Sequence, residues 1–255
     1  MKLLIDADML LWSITSATEV EVLIEEDTWT RWSDLAEARD KMADELQLMH
    51  DEFGTDDDDV IFCLSHAELW RKEIYPQYKA NRKGKPKPIG FRALRDELKE
   101  VHYEEWPGLE ADDVMGLLAT SPVYKDECVI VSGDKDMNQI PGIHYWQGER
   151  WQINEEQALH HFYFQALAGD ATDGIPGCPT IGPKRASTCI EGATTDLGYW
   201  ARVVQEYEKK GPSIQVARQN AILNARLVRI LRDNEYDWVT RQVIPWNPPN
   251  LPAIC

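Results

Sequence analysis

The stretch "CVIVSGDKD" (128–136) joins a short apolar run to two acids through a glycine. An uninterrupted run of branched residues is typical of a strand that is buried on both faces of a parallel sheet. Gly133 would let the backbone turn tightly after such a strand. Two other runs, "LLI" (3–5) and "VIFCL" (60–64), have the same character. We therefore predict three central strands of one sheet.

Helical patterns lie between and after these runs. Amphipathic helices are predicted over 28–53, 91–101 and 111–120, and a further strand, at the edge of the sheet, over 143–147. Beyond Asn154 the pattern predicts helices over 154–168, 183–191 and 215–232, followed by an extended, proline-rich end over 246–255. Strands that alternate with helices indicate an α/β fold, here a mostly parallel twisted sheet with helices on both faces.

The same patterns suggest three parts of the chain. We expect an α/β core over 1–150 that includes the segment 71–95, a helical subdomain over 151–235 and an extended tail over 236–255. A chain of 255 residues with 43% hydrophobic residues is long enough for such a core and subdomain. No internal repeat is visible in the sequence.

Composition indicates the compartment. The first residues lead directly into a strand pattern without a signal-peptide profile, and no apolar run approaches the roughly 18 residues of a membrane helix. Five scattered cysteines without a CxxC pair suggest neither a disulfide framework nor a cysteine zinc site. We therefore expect a cytoplasmic protein in a reducing environment, without a membrane partner.

The charge is unevenly distributed. A net charge of −17 would by itself argue against a nucleic-acid partner, because phosphates are bound mainly by Lys and Arg. Residues 71–95, however, hold nine Lys and Arg residues and one acid, Glu73. The acidic run "DDDD" (56–59) is interpreted as a solvated loop before a strand.

Acids recur at the positions where the predicted fold would place a ligand site, the carboxyl ends of the strands. Asp6 and Asp8 end the first strand, and Asp134 and Asp136 follow the third. Three more acids begin the helix of 111–120, and two lie in the loop "LAGDATDGIPG" (167–177): Glu110, Asp112, Asp113, Asp170 and Asp173. Each acid alone is readily explained as a cap or turn former. Their joint pattern instead favours convergence on one pocket.

Ligand chemistry indicates what could neutralise such a pocket. Carboxylate-rich, all-oxygen sites suit Mg²⁺ or Mn²⁺ better than zinc. Two such ions about 3.5–4 Å apart stabilise the attacking and leaving oxygens in phosphodiester cleavage. The sequence therefore predicts a two-metal site for Mg²⁺, with Mn²⁺ as a substitute.

Two further segments suit nucleic acid. "GIPGCPTIGPKRAS" (174–187) combines tight turns with a helix start and two basic residues, a pattern typical of phosphate-backbone binding, although a plain interhelical turn is the alternative. "WRKEIYPQYKANRKGKPKP" (70–88) interleaves Trp and Tyr with Lys and Arg, which suits a single-stranded end. A solvated basic loop is the alternative there.

These stretches resemble the 5′-nuclease superfamily, which comprises flap endonucleases, the 5′-nuclease domains of bacterial DNA polymerases and phage 5′→3′ exonucleases. The resemblance rests on "LLIDAD", "WRKEIYPQYKANR", "LEADDVMG", "SGDKDMNQI" and "LAGDATDGIPGCPTIGPKRA", in family order over 3–187. "ILRDNEYDW" (230–238) is similar to exonucleases of short-tailed phages, and indicates a viral replication protein.

The resemblance implies roles for individual residues. It assigns the two-metal site to eight acids: Asp6, Glu110, Asp112, Asp113, Asp134, Asp136, Asp170 and Asp173. It implies that Lys79 and Arg82 contact the scissile phosphate, with Tyr78 and Lys83 beside them on the DNA. A helix-turns-helix element over 170–190 would grip duplex DNA through Gly182, Lys184 and Arg185, often with a monovalent cation, here K⁺.

One position departs from the family. After the second strand the family normally has an aspartate, whereas this chain has Ser65 and His66. A neutral imidazole can bind a metal, but it is a softer ligand without the negative charge that a hard ion prefers. His66 is therefore kept as a further candidate ligand.

The predicted function is a Mg²⁺-dependent 5′→3′ exonuclease or flap endonuclease in DNA replication. Its expected partners are duplex DNA with 5′ ends, nicks or flaps and RNA–DNA hybrids, with host cytoplasm as the setting for a phage-encoded protein. A haloacid-dehalogenase-type phosphatase and a non-catalytic structure-specific DNA-binding protein are the alternatives. The spacing of Asp134 and Asp136 and the Gly/Pro hairpin disfavour the phosphatase.

Overall fold

A six-stranded sheet forms the centre of the computed structural model, which describes residues 1–249. These described residues contain ten strands: β1 (Lys2–Asp6), β2 (Glu19–Glu25), β3 (Thr28–Ser33), β4 (Val60–Cys63), β5 (Tyr103–Glu104), β6 (Cys128–Val131), β7 (Gly142–Trp146), β8 (Glu149–Ile153), β9 (Tyr236–Asp237) and β10 (Gln242–Val243). The sheet order is β5-β4-β1-β6-β7-β8, and only β8 runs antiparallel to its neighbour. The predicted mostly parallel sheet, with three apolar strands at its centre, is confirmed.

Nine α-helices surround the sheet or follow it in residues 1–249: α1 (Ala7–Thr18), α2 (Leu35–Phe53), α3 (Trp70–Ile74), α4 (Phe91–Leu98), α5 (Ala111–Thr120), α6 (Glu155–Ala168), α7 (Pro183–Ile190), α8 (Asp196–Lys210) and α9 (Ile214–Val228). Side chains alternate between the two faces of a strand. Leu3 and Ile5 accordingly pack with α1, α2 and α4, whereas Leu4 packs with α5 on the other face. Helices thus cover both faces, as predicted.

Some predicted boundaries are wrong. Residues 28–33 form β3, paired antiparallel with β2, and helix α2 begins only after Asp34, whose side chain caps it at Ala36 N–H. The strand predicted at the edge of the sheet over 143–147 is β7. It lies inside the sheet, because it pairs with β6 on one side and with β8 on the other. Helix α4 ends at Leu98 and α9 ends at Val228. Helix α8 was not predicted.

The helices α6 to α9 enclose their own core. Its large buried side chains include Phe162, Tyr163, Trp200 and Tyr207, and Trp246 from the chain end packs onto them. The segment after α9 returns to the sheet, where Ile230 and Leu231 join the α5 core. The division at 150 and 235 stays a proposal. Of the predicted extended end, 250–255 lie outside the described residues.

The acidic run 56–59 lies on the surface as a short 3₁₀ turn, Asp57–Asp59, directly before β4. Asp59 pairs with Lys2 at 3.1 Å. Within residues 1–249, no helix combines the length and apolar character that a bilayer crossing requires.

Candidate metal centre and nucleic-acid interface

The central strands deliver the predicted acids to one edge of the sheet. Asp6 ends β1 and caps α1, with Oδ1 accepting from Met9 N–H at 2.9 Å and Oδ2 from the Ser132 hydroxyl at 3.0 Å. Asp134 follows β6 and accepts from Asp136 N–H at 2.9 Å. Gly133, which precedes Asp134, passes the Trp146 ring so closely that a Cβ at this position would lie 2.6 Å from Trp146 Nε1. A glycine is therefore required at this turn.

Five of the eight predicted metal ligands have no basic partner within residues 1–249: Asp6, Asp112, Asp134, Asp136 and Asp170. Burial, then the nearby Asp8 and Asp134 charges, raise the pKa of Asp6 to about 7. Burial and repulsion from Asp134 and Asp170 raise the pKa of Asp136 to about 7 as well. The pKa of Asp112 is raised by burial and by the charges of Asp6 and Asp134. No ion pair within the described residues therefore neutralises the negative charge of these five acids.

The other three predicted ligands are paired with basic side chains. Glu110 forms ion pairs with Lys79 and, at 2.9 Å, with Arg71. Burial raises the pKa of Glu110, but these two charges outweigh it and lower that pKa to about 2. Asp173 pairs with Arg82 and, at 3.3 Å, with Lys79. Lys79 therefore bridges two of the acids at the border of the unpaired group.

Arg71 is a buried anchor that the sequence did not reveal as part of the site. It is 2% exposed and donates to both Asp113 oxygens, at 2.5 and 2.8 Å. It also donates to the Leu227 carbonyl at 2.9 Å and to the Arg229 carbonyl at 2.5 Å. Asp113 is fully buried and also accepts from Trp70 Nε1. The structure thus turns Asp113 towards Arg71 and the end of α9.

The residues present fit a hard divalent cation. Their donors are carboxylate oxygens, Asp6 buried and the other four half-buried. Burial and repulsion between the acids raise the pKa values of Asp6 and Asp136, and a bound divalent ion would offset that repulsion. Across residues 1–249, however, no three His, Cys, Asp or Glu side chains already lie in an arrangement that would hold an ion. The pairing of Glu110, Asp113 and Asp173 with basic residues accounts for part of this, since their oxygens face Lys and Arg.

The position of the missing aspartate is occupied by a hydrogen-bonded loop. Ser65 donates its N–H to Asp8 Oδ2 at 2.9 Å, and its hydroxyl accepts from Ala111 N–H at 3.0 Å at the start of α5. Arg95 donates to the Ser65 carbonyl at 2.8 Å. The His66 ring instead contacts the backbone of Glu68 and Gly108. His66 therefore lies in the loop between β4 and α3, and its hydrogen bonds within residues 1–249 reach none of the eight predicted metal ligands.

Two buried amide side chains, Gln165 and Gln139, support Asp136 through a chain of hydrogen bonds. The sequence analysis predicts neither of them. Gln165 of α6 donates to Asp136 Oδ1 at 2.6 Å. Gln139 donates to Gln165 Oε1 and to the Val228 carbonyl, each at 2.6 Å, and accepts from Ile230 N–H at 3.2 Å. This chain of hydrogen bonds connects the acid to α6 and to the end of α9.

The basic segment 71–95 is partly fixed and partly open. Lys79 N–H donates to the Asp173 carbonyl at 2.8 Å, which ties the segment to the loop after α6. Tyr78 is 3% exposed and donates its hydroxyl to Glu110 at 2.7 Å, so it is not free to stack on a base and instead positions an acid. Lys83 and the residues up to 87 are exposed and form no helix. An open loop, not a helical arch, follows Arg82.

The segment predicted as a helix-turns-helix element, 170–190, forms a tight turn that leads into α7. Asp170 and Ile175 exchange backbone hydrogen bonds at 2.9 and 2.7 Å, and Gly169, in a left-handed conformation, leaves no room for a Cβ beside Ile175. Gly182 caps α7 and Pro183 occupies its first position. Lys184 and Arg185 are exposed on the first turn of α7. Asp170 and Asp173 thus connect this element to the acids at the sheet edge.

Comparisons with known proteins agree with this arrangement. Residues 34–163 match the family model described as 5′-3′ exonuclease, N-terminal resolvase-like domain. The exonuclease of Escherichia phage T7 is 29% identical over 96% of this chain and 93% of its own length. The flap endonuclease Xni of Shewanella sp. strain ANA-3 is 34% identical over 64% of this chain and 69% of its own length.

Solved structures share the fold at low identity. A phage T5 5′-exonuclease with bound zinc aligns with a TM-score of 0.62 and 16% identity over 89% of this chain and 88% of that chain. A phage T5 flap endonuclease in a pseudo-enzyme–product complex with DNA and metal ions aligns with a TM-score of 0.54 and 18% identity over 74% of this chain and 79% of that chain. The sheet and the helical part therefore form one known architecture.

Proposed function

The chain belongs to the 5′-3′ exonuclease family, and from this premise we propose that it hydrolyses phosphodiester bonds at or near the 5′ ends of DNA with the help of divalent metal ions. Family membership removes the haloacid-dehalogenase-type phosphatase from the candidates. The relatives named as exonucleases and flap endonucleases favour an enzyme over a non-catalytic DNA-binding protein.

One observation carries the proposal. Carboxylates without a basic partner, Asp6 buried and Asp134 and Asp136 half-buried, lie at the ends of β1 and β6. The paired cations Lys79 and Arg82 lie at the border of this group. Asp6, Asp112, Asp134 and Asp136, with Asp170 beside them, are the residues that would hold the metal. We propose two Mg²⁺ ions there, replaceable by Mn²⁺. When bound, such ions lower the pKa of a water and stabilise charge on the phosphate.

The chain's own residues would bind and orient the substrate. The Lys79 ammonium is held at the border of the acids by Glu110 and Asp173, where it can offset the charge of a phosphate oxygen. The guanidinium of Arg82 is half exposed and can pair with a second phosphate oxygen. Gln165 keeps Asp136 in a fixed orientation. These side chains supply position and charge, which are the main contributions a protein makes to phosphate chemistry.

The basic surfaces suit both parts of a DNA end. Lys184 and Arg185 at the start of α7, with the backbone N–H groups after Gly182, would hold the phosphates of the duplex, with K⁺ as an additional ligand of that turn. Lys83 and the open loop after it would hold the single strand. We propose nicked, blunt and flapped duplexes and RNA–DNA hybrids as substrates, in replication within the host cytoplasm.

A product-length ladder tests this function. Blunt, nicked and flapped DNA labelled at the 5′ end would be incubated with the protein and Mg²⁺, and in parallel with EDTA. We expect release of short 5′-labelled products with Mg²⁺ and none with EDTA. Intact label in every substrate with Mg²⁺, or equal cleavage with EDTA, would contradict the proposal.

A further inference from the structure

The hairpin formed by β2 and β3 projects from the protein with its apolar side chains uncovered. Leu23, Ile24, Trp29 and Trp32 are 52%, 61%, 62% and 55% exposed. Leu23 lies opposite Trp29 in the ladder, and Ile24 occupies an irregularity next to them. We call Leu23, Ile24 and Trp29 the hairpin patch. None of its residues belongs to the three hydrophobic cores of residues 1–249.

Hydrogen bonds among the described residues hold the hairpin at its base. Thr18 and Ser33 hydroxyls lie 3.2 Å apart, Arg31 pairs with Glu19 at 3.0 Å, and Glu19 accepts from Ile89 N–H at 2.7 Å. Beyond this base, β2 and β3 pair only with each other, so both outer edges offer backbone groups to a further strand. Two-stranded hairpins are marginally stable alone, and clustered exposed Trp and Leu side chains are typical of binding surfaces.

The charge around the patch selects the partner. Glu21, Glu25, Glu26 and Asp27 surround it, and none of them forms an ion pair with another residue of 1–249. Such a surface repels phosphates, which argues against a nucleic-acid strand. A symmetric contact with a second copy would bring the same acids together, which is equally unfavourable.

We propose that this hairpin is a docking site for another protein, which adds an extended segment of alternating cationic and apolar residues to its free strand edge. Main-chain hydrogen bonds would give affinity, the hairpin patch would bind the apolar side chains and the acids would bind the cations.

Fluorescence anisotropy of a labelled octapeptide, measured with the full chain in EDTA, tests the proposal. An octapeptide of alternating Lys and Val should bind at least about tenfold more tightly than one of alternating Lys and Ser, a difference of about 1.4 kcal/mol. The double variant Leu23→Ser/Trp29→Ser should lose that preference. Glu25→Gln/Glu26→Gln should weaken binding several-fold. The matched surface control Asp57→Asn/Asp58→Asn should leave it unchanged, and circular dichroism would confirm that each variant is folded.

Several outcomes would overturn the proposal. If wild type and Leu23→Ser/Trp29→Ser bind the Lys–Val peptide with equal affinity, or if neither binds it, the hairpin patch is not a docking site for such a segment. A dimer in sedimentation equilibrium that this variant abolishes would identify a second copy as the occupant. Weaker binding of single-stranded DNA by the variant would identify nucleic acid. Because binding is measured without cleavage, failure of the nuclease function would leave this test valid.

Discussion

The ammonium group of Lys79 pairs with Glu110 directly beside acids that have no basic partner of their own. Burial lowers the pKa of Lys79, but the charges of Glu110 and Asp173 outweigh burial and raise it, so the side chain stays a cation. The pair thus keeps a fixed positive charge at the border of the acidic group, and Glu110 stays ionised.

Removing this cation should impair catalysis. We expect Lys79→Ala to lower kcat about a hundred- to thousandfold, because a positioned charge on the transition state is lost. Single-turnover cleavage of flapped DNA measures the effect. Lys72→Ala, which changes an exposed basic residue of the same segment, is the control and should keep near wild-type kcat. Equal kcat in both variants would show that Lys79 does not act on the phosphate.

Arg71 should matter chiefly for folding. Arg71→Met leaves Asp113 buried without its cation and leaves Glu110 with Lys79 alone. Breaking a buried ion pair in this way costs about 3–5 kcal/mol. Urea denaturation would measure the free energy of unfolding. Arg39→Met removes an exposed pair with Glu97 and should cost a small fraction of that. Similar losses in the two variants would contradict the anchoring role.

Gln165 should act through the acid that it holds. In Gln165→Leu, Asp136 loses its 2.6 Å hydrogen bond, and loss of such a supporting contact typically lowers metal affinity about 10–100-fold. Calorimetric titration with Mn²⁺ would measure this affinity, and cleavage at saturating Mn²⁺ would show how far activity recovers. Gln47→Leu on the exposed face of α2 is the control. Unchanged Mn²⁺ affinity in Gln165→Leu would contradict this role.

The unpaired acids should make the metal-free protein sensitive to pH. The pKa values of Asp6 and Asp136 are raised from 3.8 to about 7, so the folded state keeps protons that the unfolded chain has lost. In EDTA, the free energy of unfolding should therefore fall as the pH rises from about 4 to about 7, and then stay level. Thermal denaturation across this range measures the trend, and a rise in stability over the same window would contradict it.

The variant Asp112→Asn tests the same repulsion at one pH. At pH 8 in EDTA it should be more stable than wild type, because burial and the charges of Asp6 and Asp134, which raise the pKa of Asp112, no longer act on an ionised carboxylate. Mg²⁺ should stabilise wild type and have little effect on this variant, because ligands stabilise the state that binds them. Asp57→Asn on the surface serves as the control. A variant less stable than wild type in EDTA would contradict the account.

The sequence predicted the centre of the fold because buried parallel strands are continuous apolar runs. The β2–β3 hairpin is not predicted from the sequence, because "TWTRWS" (28–33) directly precedes a strong helical pattern and is included in it. The alternating pattern of these six residues nevertheless suits the strand that they form, β3. Helix α8 was not predicted either, although Tyr199, Trp200, Val203, Val204 and Tyr207 recur at helical spacing along it.

The candidate acids were found because strand ends and motif order place them together. Their division into paired and unpaired groups could not be predicted, since it depends on contacts between distant segments. Arg71 meets Asp113 across 42 positions of sequence, and Gln139 meets Val228 across 89. Such contacts depend on how α3, α5 and the end of α9 pack in three dimensions and leave no local pattern in the sequence.

The central claim is that the unpaired carboxylates hold the metal ions of a 5′ nuclease, and cleavage by Asp136→Ala tests it most directly. Flapped DNA labelled at the 5′ end would be cleaved with Mg²⁺ by wild type, by Asp136→Ala and by the exposed control Glu149→Ala. We predict a loss of at least about a thousandfold in Asp136→Ala, more than about 4 kcal/mol of transition-state stabilisation, with DNA binding still measurable and the control unaffected. Cleavage by Asp136→Ala at the wild-type rate would contradict the claim.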